Sequence, residues 1–136
     1  MSAILAEVLL PGVATAAEGL VLTAPISFWG GVDPKTSRIV DPRHPEYGTP
    51  IAGRVVCIPA TIGSSSASAI LLELVHGGRA PAALVLHEPD AILLLGLIVA
   101  REMGHEIPMA LRLDASQFAP LHGRQVRISA TGAIDA

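Results

Sequence analysis

The chain has 136 residues, enough for one domain with a real core; its net charge of −3 and its 3% aromatic content argue against gripping a phosphate backbone or stacking single-stranded bases. Apolar residues make up 51% and charged residues 15%, which excludes a disordered chain and leaves apolar surface of the kind that docks on a partner. The longest apolar run, residues 91–100, is about half of the roughly 20 residues a bilayer span needs, and residues 1–10 lack a basic secretory start. A cytoplasmic protein with no membrane and no nucleic-acid partner is expected.

Residues 7–12 and 19–24 read as two short strands, predicted to be neighbours in a sheet. From residue 25 to residue 50 the texture changes to turn formers, with only Arg38-Ile39-Val40 fit for a strand, so this stretch reads as a long loop facing substrate or partner. A strand over 54–58 follows, then a small-residue turn and a helix over 65–75 ended by His76-Gly77-Gly78. Next come a strand over 82–86, the turn His87-Glu88-Pro89 and a helix capped by Asp90 that runs to about Glu102. The apolar run 91–100 within it reads as buried. Strands over 109–113 and 125–129 complete the pattern.

This β-α-β-α-β alternation predicts one α/β domain over 1–136, with a parallel-strand core, right-handed crossovers and flanking helices. The N-terminal strands then add a second β layer or a barrel-like cap. The single cysteine, Cys57, lies in an apolar run and reads as a packed thiol.

The turn Gly63-Ser64-Ser65-Ser66 is the first candidate site. A glycine and three hydroxyls at a helix start, after the carboxyl end of a strand, put N–H groups, hydroxyls and the positive end of a helix dipole together. One serine serves as an ordinary cap, so capping alone is the competing reading. A serine-hydrolase elbow fails on spacing, because Ser65 has Gly63 before it and Ala67 after it. A phosphate loop fails because no Gly-Lys-Ser/Thr follows. What remains is a serine whose alkoxide is stabilised by amides and by help from outside the chain, so that it abstracts a proton.

Trp29-Gly30-Gly31-Val32-Asp33 is the second candidate, a lone tryptophan beside paired glycines and a carboxylate, with an anchored turn as its plain alternative. The five histidines, His44, His76, His87, His105 and His122, have no close ligand spacing, so no zinc site is expected. His76 and His105 read as helix-end partners and His87 as a turn residue at a strand end. His44, in the long loop, keeps a functional reading.

Ser27-Phe28-Trp29-Gly30-Gly31-Val32-Asp33-Pro34, Ile39-Val40-Asp41-Pro42-Arg43-His44-Pro45, Gly63-Ser64-Ser65-Ser66 and Ala80-Pro81-Ala82-Ala83 together resemble the small, swivelling domain of the aconitase superfamily, in its aconitase X branch. The resemblance spans residues 25–108. It implies a swivelling β/β/α fold and a hydro-lyase subunit, inactive without a large aconitase X partner that holds iron or an iron–sulfur cluster; this chain alone is expected to bind no cofactor and no metal. It also implies that Ser64 is the general base, with Gly63, Ser65, Ser66, Trp29, Gly30, Gly31, Asp33 and His44 around a small hydroxy-acid substrate. Ser66 stands where other aconitases carry an arginine that grips a carboxylate, a departure shared with aconitase X. Two substrates are implied, cis-3-hydroxy-L-proline, dehydrated to a pyrroline carboxylate, and mevalonate 5-phosphate; the texture of residues 87–93 points to the first. Two other classes stand beside this one: a swivelling module that binds a metabolite or carries a phosphoryl group on His87, and a plain interaction subunit.

Overall fold

The computed structural model describes residues 3–136. Strands β1 (Ile4–Leu5), β2 (Glu7–Leu10) and β3 (Thr15–Val21) lead into a long connection and then β4 (Val55–Ile58). Helix α1 (Ala67–His76), β5 (Ala83–Leu86), helix α2 (Ala91–Glu102) and β6 (Met109–Arg112) follow. Two 3-10 turns, Ala115–Gln117 and Ala119–Leu121, precede β7 (Gln125–Ile128) and β8 (Ala133–Asp135).

All eight strands join one sheet in the order β1-β8-β7-β3-β4-β5-β6-β2. The core β3-β4-β5-β6 is parallel, with Val55, Ala83 and Met109 level across β4, β5 and β6, and the outer strands pair antiparallel. β1 and β2 sit at opposite ends of that order, yet only Ala6 separates them in sequence, and its amide donates to Gly132 O at 3.0 Å. The sheet therefore curls until its two edges nearly meet, the barrel-like one of the two arrangements that the sequence left open for the N-terminal strands.

The pairing of the N-terminal strands differs from expectation. The stretch 7–12 became β2 at an edge beside β6, whereas β3 lies between β7 and β4. The residues that allow this are small. At Gly12 an added Cβ would lie 2.5 Å from Met109 N, so the connection between β2 and β3 hugs the β6 backbone.

Strands β4 and β5 are buried at every position, so their sequences VVCI and ALVL are apolar on both faces, as befits the centre of a covered parallel sheet. Val56, Ile58, Leu84 and Leu86 face the helices, packing with Leu71, Leu74, Leu93 and Leu97. Val55, Cys57, Val85 and Leu111 face the inside of the curl, with Phe118, Leu121, Val126 and Ile134.

α2 is buried on one face only. Leu93, Leu94, Leu97 and Ala100 point inward, while Ile92, Leu95 and Val99 are 52%, 50% and 43% exposed. An unbroken apolar run carries no periodicity, so the outward face was invisible in the sequence.

Candidate active site at the carboxyl ends of the parallel strands

β3 and β4 continue past their last ladder bonds toward the same end of the sheet. Leu22 N donates to Cys57 O at 2.9 Å, Ile26 N to Ala60 O at 3.2 Å and Ile62 N to Ile26 O at 2.9 Å. Ser27–Gly31 and Gly63–Ser66 thus leave the sheet from adjacent strands. This is where an open α/β sheet places a ligand.

The first of these segments is a tight turn. Trp29 has φ −75° and ψ 114°, and Gly30 has φ 78° and ψ −13°, the angles of a type II turn, which needs a residue tolerant of positive φ at Gly30. Ser27 Oγ donates to Trp29 O at 2.9 Å. Phe28 anchors the turn in the core, and Trp29 stays 58% exposed.

In the serine turn, Ser64 is half-buried and Ser65 and Ser66 are exposed. Ser64 Oγ accepts from Ser66 N at 3.2 Å, Ser64 O accepts from Ala67 N at 3.0 Å, and Ser68 Oγ donates to Ser65 O at 3.0 Å. The helix begins at Ala67, two residues later than predicted, because Ser65 and Ser66 form a lead-in turn closed by Ser64. The Ser64 oxygen is therefore held by an amide N–H. Ile62, Gly63, Ser65 and Ser66 leave it on an open shelf.

Behind the turn, Thr61 Oγ1 donates to Asp90 Oδ2 at 2.6 Å, and Asp90 Oδ1 accepts from Leu93 N at 3.0 Å. Asp90 was legible as the cap of α2. Its bond to Thr61, across 29 residues, had no signature.

The rest of the long loop is folded into the protein. Asp33 Oδ1 accepts from Lys35 N at 2.9 Å and Asp41 Oδ1 from Arg43 N at 3.0 Å, each closing an Asx turn. Val32, Ile39 and Ile51 are buried in the helix-side core. Gly31 is also buried, and its carbonyl accepts from Val40 N at 2.9 Å. His44 is 6% exposed; its Nδ1 accepts from Glu46 N at 3.0 Å and its Nε2 lies 3.2 Å from Ala24 O. Both ring nitrogens are engaged within the protein, so the ring ties that corner to Ala24, three residues past the end of β3. Trp29 and Gly30 share the sheet end with Gly63, Ser64, Ser65 and Ser66, whereas Asp33 and His44 lie farther along the loop with their polar atoms in local bonds.

His87 follows β5 at the same end of the sheet. Its Nδ1 accepts from Ala115 N at 2.9 Å, and its carbonyl accepts from Arg112 Nε at 3.1 Å. Asp114 Oδ2 lies 3.9 Å from His87 Nδ1 and 3.8 Å from Arg112 Nη2. The Ser116 amide and hydroxyl hold the Asp114 carboxyl below the ordinary range, and His87 and Arg112 add to this.

An iron or iron–sulfur centre does not fit this chain. Its one cysteine, Cys57, is fully buried in β4, where desolvation pushes the thiol up to about 12. Among the described residues no three His, Cys, Asp or Glu side chains converge. No helix among them is long and apolar enough to cross a membrane.

Comparison with known proteins places the chain. A family model described as the aconitase X swivel domain matches residues 4–136. Cis-3-hydroxy-L-proline dehydratase of Pseudomonas aeruginosa is 52% identical over 101 residues, covering 72% of this chain and 17% of that protein. The protein of that name in Hypocrea jecorina is 44% identical over 87 residues, 63% of this chain, and this chain spans 15% of its length. The phosphomevalonate dehydratase small subunit of Thermococcus gammatolerans is 36% identical over 116 residues, 84% of this chain and 83% of the relative. In the holo-form crystal structure of Thermococcus kodakaraensis aconitase X, one chain superimposes with a TM-score of 0.85 at 26% identity, covering 99% of this chain and 98% of that one. From the helix-flanked, curled sheet to the serine turn at its open end, this chain belongs to the aconitase X swivel-domain family.

Proposed function

We propose that the chain is the swivelling small subunit of an aconitase X-type hydro-lyase and that Ser64 is its general base. The observation that carries the reading is the half-buried Ser64 hydroxyl, held by the Ser66 amide at the carboxyl end of the parallel strands and open to one side. An N–H that donates to this oxygen stabilises an alkoxide more than a neutral hydroxyl, which lowers the cost of charging it.

The proposed substrate is cis-3-hydroxy-L-proline. The Ser64 alkoxide takes the proton from the carbon bearing the carboxylate, the electron pair of that C–H bond forms a C=C bond, and the C–O bond on the next carbon breaks to release hydroxide, which takes a proton from the Ser64 hydroxyl or solvent to leave as water. The product is a pyrroline carboxylate. The exposed Trp29 turn and the shelf Gly63-Ser65-Ser66 would cover one side of the ring. Activation of the leaving hydroxyl is assigned to a larger aconitase X partner carrying iron or an iron–sulfur cluster, because this chain has no ligand set for one.

The choice of substrate rests on the 52% identity to the Pseudomonas aeruginosa hydroxyproline enzyme, against 43% for the Methanopyrus kandleri phosphomevalonate subunit and 36% for that of Thermococcus gammatolerans. The second reading, mevalonate 5-phosphate, is favoured by an alignment that spans 83% of that subunit's length. The test is to co-express the chain with the large partner and assay both compounds. Ser64→Ala is expected to lower turnover by about 10²–10⁴-fold with the complex intact. Full turnover in that variant overturns the base assignment, and turnover of the phosphorylated compound alone overturns the choice of substrate.

A further inference from the structure

At the far end of α1 from the serine turn, His76 Nδ1 and His105 Nε2 face each other at 3.3 Å. The rings meet edge to face, with centroids 5.3 Å apart and planes at 82°. His76 is exposed and His105 half-buried, so solvent reaches the pair.

Each histidine is carried on fixed backbone. α1 ends with Gly78 at φ +71°, Gly78 N donating to Val75 O at 3.1 Å and Arg79 N to Leu74 O at 2.8 Å. α2 ends the same way, with Gly104 at φ +91°, Gly104 N donating to Arg101 O at 2.9 Å and His105 N to Ala100 O at 3.0 Å. Both are Schellman motifs, and they bring His76, the last residue of α1, against His105, the third residue past the end of α2.

We propose that His76 and His105 form a two-nitrogen, solvent-open site for a divalent transition-metal ion that clasps the carboxyl ends of α1 and α2. Two imidazole nitrogens, each ~2.0–2.1 Å from a zinc ion at a tetrahedral angle, stand about 3.3–3.4 Å apart, so the observed separation matches the bite of one ion. The carboxyl ends of both helices carry partial negative charge, which favours a cation there. Glu73, Glu102 and Glu106 lie within three residues of one histidine or the other in sequence, and Arg79 and Arg101 within four. Water completes the coordination. Sequence spacing conceals the pair, because 29 residues separate the two side chains that the fold brings into contact.

The full 136-residue chain is titrated calorimetrically with Zn²⁺, Ni²⁺ and Cu²⁺. One ion per chain is expected, bound most tightly for Cu²⁺. His76→Gln and His105→Gln are each expected to weaken binding at least about tenfold, and His122→Gln to leave it unchanged. A second readout needs no variant: in nitrogen-correlated NMR spectra of the parent chain, Zn²⁺ shifts His76 Nδ1 and His105 Nε2 together. No saturable binding, equal binding in the His76 and His105 variants, or shifts confined to other histidines means that the pair is only an N–H···N hydrogen bond and overturns the proposal.

Discussion

Thr61 donates its hydroxyl to Asp90 at 2.6 Å, tying the residue three before Ser64 to the cap of the neighbouring helix. The same carboxylate starts α2 through Leu93 N, so one side chain holds the turn and the helix together. Asp90→Ala is expected to cost about 1–2 kcal/mol and Thr61→Val about 1 kcal/mol. Urea unfolding of the two single variants and the double variant checks this. Strictly additive costs would mean that the two residues do not act on each other.

Gly96 sits where α2 crosses α1, and an added Cβ would lie 2.3 Å from Ser68 O. Because the obstacle is backbone, it cannot swing aside. Gly96→Ala gains helix propensity of about 1 kcal/mol yet is expected to be destabilising by about 1–3 kcal/mol overall. A rise in thermal midpoint for this variant would show that the helices separate without penalty.

Burial raises the Cys57 thiol from 9.0 to about 12 in the folded protein. A pKa raised by folding contributes stability that is complete below the unfolded value and is lost as pH climbs through the folded one, here between 9.0 and about 12. Folded protein at pH 8 is expected to resist a thiol reagent that labels the urea-unfolded chain within minutes. Labelling of the two at similar rates would contradict the packing of β4.

Trp29 is the chain's only tryptophan and is 58% exposed beside the serine turn. If the large partner closes over that sheet end, Trp29 emission shifts to the blue on complex formation. An unchanged spectrum in a complex verified by size would place the partner on another face.

The β4–turn–α1–β5–α2–β6 succession was legible because each strand is a short apolar run and each helix has punctuation, Asp90 before one and Gly77-Gly78 after the other. The serine turn was legible for the same reason, as a helix start following a strand end, whereas the choice of Ser64 within it came from the family resemblance. The long loop was harder: Phe28, Val32, Ile39 and Ile51 are core residues scattered among turn formers with no period to reveal them. Contacts between distant segments left no local trace either. Thr61 with Asp90, and His76 with His105, meet only because α1 and α2 lie side by side.

The placement of Ala6 between strands at opposite ends of the sheet has a consequence for biosynthesis. Ile4 pairs with Ile134, so this strand has no partner until the ribosome has delivered the 130 residues that follow Ile4. Closure is then a late folding event, preceded by a nascent intermediate in which the parallel centre can form while its rims stay unpaired and open to chaperones.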